Sequence, residues 1–443
     1  MILGLQREFD STKKGSPRYA ELQGKLFDQQ QQLNRIQQQI KSKNPLYYQS
    51  NVDTSFINLA DVRRNILKDH QALVELFVGD SNVYSLVITP KQNYLDRINK
   101  ETFDSTANAY INFVSSPAVI NRHFSEFVGV SNQLYTLIFK DHPLPEGRIV
   151  ISPDGRRYFP FEALCSNADP VRPAYFLYRH ATSYTYSARY LMNDFSVSEA
   201  SQNGNFLGIA PVQYPSDFAL ASLRGSDLSI NNIASYFYRN ASLVSSAATK
   251  NNFLEKFSRY SIIQLYTHAI DSGRNGEPVI YFADSALYLS ELMAENKPFT
   301  RLLVLSACET GNGRLYEGEG VFSFNRGFAS MGIPASIINL WTVDNQATYN
   351  LTEVFYKYLA GGAPVDVALQ KAKIEFISSG SKENALPYYW AASVIVGKTE
   401  SFDNAGGTIW KWIIAGATVL LIILIVLTLR RRTSAKLNLV SGK

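Results

Sequence analysis

The chain has 443 residues, 46% of them hydrophobic, with 26 Tyr, 26 Phe and a formal net charge of +5. That length is too great for one small domain and the apolar content excludes a disordered chain, while the modest charge, with no basic stripe interleaved with aromatics, excludes a nucleic-acid-binding surface. Two cysteines, Cys165 and Cys308, exclude a disulfide framework.

From Met1 to Lys43 the chain is rich in Gln, Lys and Leu. Leu22, Leu26, Leu33, Ile36 and Ile40 lie at three-, four- and seven-residue intervals with polar residues between them, which predicts an amphipathic helix. Residues 1–58 read as a helical arm, either a coiled coil or the last helix of a repeat array, although no repeat of ~34 residues is visible. Ile2–Leu5 is too short an apolar run for a secretory leader, and Arg7, Glu8 and Asp10 follow at once.

Asn44-Pro45 breaks the helix, and residues 59–147 read as a first lobe. It holds a helix over Leu59–Leu67, strands Ala72–Phe77 and Val83–Thr89 joined by the turn Gly79–Asn82, and a mostly helical stretch from Leu95 to Lys140. Residues 148–398 form a second lobe. Its short apolar runs, Ile149–Ser152, Phe206–Ala210, Ser261–Tyr266, Val279–Phe282, Arg301–Ser306, Ala335–Leu340 and Ala392–Val396, read as strands. Helical patterns lie between several of them, at Thr249–Arg259, Gly320–Met331, Gln346–Leu359 and Pro364–Phe376. The alternation predicts an α/β fold with a largely parallel sheet covered on both faces. No glycine-rich phosphate loop follows a strand, which argues against a nucleotide-binding α/β domain; no cofactor and no metal are expected.

Two residues stand just past predicted strand ends: His268 after Ser261–Tyr266, and Cys308 after Arg301–Ser306. In open α/β sheets ligands bind outside the carboxyl ends of strands, so these two side chains can converge on one crevice. A nearby imidazolium lowers a thiol from its ordinary pKa of about 8.5 and then protonates a leaving amine. Cys165, inside the apolar run Phe161–Cys165, reads instead as core. After Cys308 the glycines of Glu309–Gly313 suit either an oxyanion-binding turn or an ordinary strand-to-helix turn. Asp344 and Asn345 each suit the N-cap of the following helix.

Beyond the linker 399–408, residues 409–429 read as a transmembrane helix, uncharged from Trp412 to Leu429 and closed by Arg430-Arg431-Arg432. The three arginines place the basic tail 430–443 in the cytoplasm and the globular part in the periplasm or another extracytoplasmic space. The expectation is thus a single-pass membrane protein in contact with the bilayer through 409–429.

Tyr266–His268, Leu305–Gly311, Gly318–Gly320 and Leu340–Asp344 resemble conserved blocks of the CHAT domain family, a caspase-like peptidase module often attached to tetratricopeptide repeats. Ile151–Gly155, Phe159–Leu164, Gly208–Pro211 and Tyr388–Ala392 resemble further blocks, so the likeness extends from about Leu59 to Val396. The resemblance implies a caspase-like α/β fold, a His268/Cys308 dyad, an oxyanion held by the backbone at Ala269 and Gly311, and a substrate cleft bordered by Ser306, Glu309, Trp341 and Asp344. Ala269 stands where many relatives have Gly, which preserves a backbone donor. Ser306 stands where some relatives carry an Asp that accepts a basic P1 residue, so that preference does not carry over. Because relatives commonly carry upstream repeats, Met1 reads as an internal start, and the N-terminal helix as a contact for a repeat domain or partner. The function implied is a membrane-anchored cysteine endopeptidase acting on a protein or peptide; the alternative is a catalytically silent CHAT-like interaction or signalling domain.

Overall fold

The computed structural model describes residues 2–43, 48, 57–68, 70–140, 142–154, 159–192, 205–270, 277–294, 298–307, 320–380, 384–402 and 418. Helix α1 (Ile2–Ser11) and helix α2 (Pro17–Lys43) form a hairpin in which Phe9 and Tyr19 stack at 4.5 Å. Helix α3 (Leu59–Asn65) begins where Asn58 and Asp61 make a reciprocal capping box, with Asn58 Oδ1 accepting the Asp61 N–H at 2.9 Å.

Strands β1 (Gln71–Val78), β2 (Asn82–Ile88) and β3 (Asn93–Asn99) form an antiparallel meander. Three helices follow: α4 (Lys100–Val114), α5 (Pro117–Arg122) and α6 (Phe124–Phe139). The helical stretch therefore starts at Lys100 and not at Leu95. The reason lies in β3, where Asp96 and Ile98 are buried and their neighbours exposed, a period of two that the charged residues hide. Asp96 turns inward because Lys140 and His142 meet it there, with His142 Nε2 at 2.7 Å. Asn99 then caps α4, accepting the Thr102 N–H at 3.0 Å.

The rest of the chain adds β4 (Gly147–Ser152), β5 (His180–Tyr184), α7 (Ala188–Met192), β6 (Phe206–Ala210), α8 (Ser226–Ala234), β7 (Asn240–Val244), α9 (Lys250–Phe257) and β8 (Ile262–Thr267). A small antiparallel sheet of β9 (Ala269–Ile270), β10 (Val279–Tyr281) and β11 (Ala286–Tyr288) follows, then α10 (Leu289–Ala294) and β12 (Leu302–Ala307). The last elements are α11 (Gly320–Ser330), β13 (Ala335–Asn339), α12 (Asn345–Ala360), α13 (Val365–Ser379), α14 (Pro387–Trp390) and β14 (Ser393–Gly397).

One sheet runs through the molecule in the order β3-β2-β1-β4-β5-β14-β13-β12-β8-β6-β7. Only the pairs β1–β2, β2–β3 and β13–β14 are antiparallel; the other neighbours are parallel. Strands β5, β6, β8 and β13 are buried along their whole length, as strands covered by helices on both faces must be. Gly208 in β6 lets α8 approach closely, since a Cβ there would stand 2.5 Å from Ile230 Cγ2. The strands of segments 59–147 and 148–398 share this sheet through β1–β4, and it is lined by one large apolar cluster and a smaller one around Val62, Leu67, Leu73, Ile88 and Ala188.

Near the middle of the sheet, β5 and β14 are joined by the register pair Val396 and Tyr184. A buried polar group beside it centres on Glu162 and takes in Tyr184 of that pair. Lys373 on α13 donates to Glu162 Oε1 at 2.9 Å, and the Tyr184 hydroxyl on β5 donates to Glu162 Oε2 at 2.6 Å. Lys373 and Glu162 are 1% and 2% exposed, and burial pulls the Lys373 ammonium below its ordinary pKa against the opposing pull of Glu162.

The expectation of a single-pass membrane protein is overturned: among the described residues no helix is long and apolar enough to cross a membrane. The longest, α2, has 27 residues but is dominated by glutamine and charge. The segment 409–429, Thr418 apart, and the tail 430–443 lie outside the described residues.

Candidate functional site at the carboxyl ends of the central strands

Strands β8 and β12 are parallel neighbours whose register runs from Ile262 opposite Leu302 to Thr267 opposite Ala307. Thr267 and Ala307, which precede His268 and Cys308 in the chain, are thus paired at one end of the sheet. Cys308, Glu309 and Gly311 lie outside the described residues.

His268 is 3% exposed and sits where the chain leaves the main sheet for β9. Its carbonyl accepts the Tyr281 N–H at 2.9 Å, which pins the turn to β10. Its ring is held from the other side by the loop that follows β6. Nε2 lies 2.8 Å from the Ala221 carbonyl oxygen, and the Tyr214 ring stands 5.0 Å away at 60°. A carbonyl only accepts, so this contact requires the proton on Nε2. In the neutral ring the lone pair is then on Nδ1, the arrangement a general base needs when a backbone oxygen orients it. The Tyr214 hydroxyl also lies 3.2 Å from Thr267 Oγ1, which in turn donates to the Tyr281 carbonyl. Loop, strand end and small sheet are thereby tied around the imidazole.

The other expected site residues have well-defined surroundings. Ala269 is 5% exposed and pairs with Ile280 in the β9–β10 ladder. Ser306 shares a sheet face with Gln264, whose Nε2 donates to its Oγ at 3.0 Å. Trp341 is 4% exposed, and its Nε1 donates to the Tyr388 carbonyl at 3.0 Å, while the Tyr388 hydroxyl donates to the Thr342 carbonyl at 2.7 Å. These bonds lock the loop after β13 to the segment before β14. Asp344 is the N-cap of α12, its Oδ1 accepting the Ala347 N–H at 3.0 Å. Cys165 is fully buried, and burial pushes its thiol up to about 11 against a hydrogen bond with Ser131. Among the described residues no cluster of three or more His, Cys, Asp or Glu side chains is arranged to hold a metal ion.

Sequence reasoning missed Tyr214 and Ala221. The Gly208–Pro211 block marks the loop that carries them, but Ala221 contributes a main-chain oxygen, and no side-chain pattern signals that.

These features define an α/β protein with an open, mostly parallel sheet and a histidine-bearing site at the carboxyl ends of its strands. The sequence model of the CHAT domain matches residues 128–398, well over half of the chain, and the chain belongs to the CHAT domain family. Among solved structures, two of the Saccharomyces cerevisiae separase–securin complex align with TM-scores of 0.49 and 0.48 at 10% identity, covering 77% and 78% of this chain. This chain spans 31% of the matched chain in each. A protein from Geobacter sulfurreducens aligns with a TM-score of 0.28 at 11% identity over 45% of this chain and 94% of that one. No curated protein sequence matches the chain.

Proposed function

We propose that the chain is a cysteine endopeptidase of the CHAT type, with a caspase-like arrangement in which Cys308 is the nucleophile and His268 the general base and acid. The observation that supports this most directly is the register of β8 and β12, with Thr267 opposite Ala307, because it brings the chain positions that lead into His268 and Cys308 side by side. Family membership and the Nε2 contact with Ala221 add to it.

In this reading His268 takes the thiol proton and the Cys308 sulfur forms a bond to the substrate carbonyl carbon. Backbone N–H groups at Ala269 and Gly311 hold the resulting oxyanion. Collapse of that intermediate breaks the peptide bond, and His268 returns the proton to the departing amine. Water then hydrolyses the thioester. Ser306, Glu309 and the Trp341–Asp344 loop border the cleft, and the neutral Ser306 brings no acid to select a basic P1 side chain.

Alkylation by iodoacetamide with the site of modification read by mass spectrometry tests the nucleophile. Cys165, buried and with its thiol pushed up to about 11, is an internal reference that reacts slowly. Cys308 is expected to react at least ~10-fold faster at neutral pH, and to lose that advantage in His268→Gln. Equal rates for the two cysteines in the folded protein would overturn the reading in favour of a silent interaction domain.

A further inference from the structure

Helix α2 has a seam that its own hairpin leaves half open. With Leu26, Leu33 and Ile40 at position a, positions d are Leu22, Gln29 and Ile36, a three-four alternation kept from Leu22 to Ile40. Helix α1 is ten residues long and folds back over the N-terminal part of α2, where Leu22 is 0% exposed. Farther along, Leu33 is 36% exposed and Ile36 46% exposed, with Leu26, Gln29 and Ile40 partly so. An apolar stripe about 21 Å long is thus left facing solvent.

We infer that this stripe is the contact for a second copy of the same chain, paired parallel and in register as a two-stranded coiled coil. Two features of the sequence choose that occupant. The flanking e positions are Gln23, Gln30 and Gln37, and the g positions are Lys25, Gln32 and Gln39. A parallel pair sets Lys25 against Gln30 of the other copy and Gln32 against Gln37, so no like charges meet across the seam; a hetero-partner selected by charge would find nothing to read. The second feature is Gln29 at d. In a parallel, in-register pair its amide meets the identical amide of the other copy and the two satisfy each other, whereas any other register buries it against leucine or isoleucine. Gln29 costs stability and fixes alignment.

Sedimentation velocity on the 443-residue chain, at tens of micromolar, reads the association. The wild type is expected to sediment as a dimer. The triple variant Leu33→Asp, Ile36→Asp, Ile40→Asp should cut the dimer fraction about tenfold or more while circular dichroism of the globular part is unchanged, since Leu33 and Ile36 are exposed in the single chain. Direction and register are read by oxidation of single-cysteine additions in a Cys308→Ser background: Leu33→Cys should form a disulfide-linked dimer, and Phe27→Cys, 64% exposed and off the seam, should not. A monomeric wild type, a dimer that survives the triple substitution, or equal cross-linking at positions 27 and 33 would each overturn the inference.

Discussion

Replacing Lys373 by Met isolates the energetics of the buried pair that ties α13 to Glu162. The substitution keeps all but the terminal atom of the side chain and removes its charge, so the loss is mainly electrostatic, with only a small void at the former ammonium position. Glu162 would be left 2% exposed with the Tyr184 hydroxyl, 2.6 Å away, as its remaining hydrogen-bond donor among the contacts described. At 2.9 Å and an effective dielectric of about 20, the lost Coulomb attraction is about 6 kcal/mol before desolvation is counted. Breaking one side of a buried pair measures about 3–5 kcal/mol, so a loss of about 3 kcal/mol or more is expected at pH 7. Urea unfolding followed by far-ultraviolet circular dichroism gives the number as a drop in midpoint at constant slope. The double variant Lys373→Met, Glu162→Gln should recover more than half of the loss, as two neutral groups replace two charges. A single variant within about 1 kcal/mol of wild type would show that the pair contributes no net stability and refute the argument.

Two further outcomes test other parts of the fold. His180 is held neutral, its pKa pushed down to about 4 mainly by burial and secondarily by Arg179. Between pH 6.5 and about 4 the unfolded chain therefore binds the proton that the folded chain refuses, and stability should fall by about 3 kcal/mol as pH is lowered through that window; His180→Phe should flatten that part of the pH–stability curve, and an unchanged slope would place the acid sensitivity elsewhere. Asp344→Ala should lower stability by about 1 kcal/mol through loss of the α12 cap while Asp344→Asn stays close to wild type, as measured by thermal unfolding, and equal losses for the two would assign the effect to charge rather than to capping.

The central sheet was legible in the sequence wherever burial on both faces called for a mostly apolar run, as in β6, β8, β12 and β13, despite single polar residues such as Gln264. Strand β5 escaped notice because His180-Ala-Thr-Ser-Tyr184 fills a fully buried strand with polar side chains, each needing surroundings that only the folded chain supplies. Strand β7 was hidden for the opposite reason: at the sheet edge, Asn240–Val244 is largely open and needs no apolar run. At the candidate site the sequence announced His268 through its position after a buried strand. It announced neither Tyr214 nor the oxygen of Ala221, since both reach the imidazole from another segment of chain. Asp344 was legible as a cap because an N-cap is a local matter, decided within one turn of helix.

The carbonyl of Ala221 has a bearing on how this protein can vary. Alanine, serine, valine or leucine at position 221 would all present the same oxygen to Nε2, so a survey that replaces one side chain at a time would pass over the residue that orients the imidazole. What the histidine depends on is the length and path of the loop between β6 and α8. A residue inserted or deleted there would swing the oxygen away from a ring that itself had not been altered. The position is therefore free in composition and rigid in spacing, and loss of the imidazole's alignment would be written in the chain as an insertion or deletion, not as a substitution.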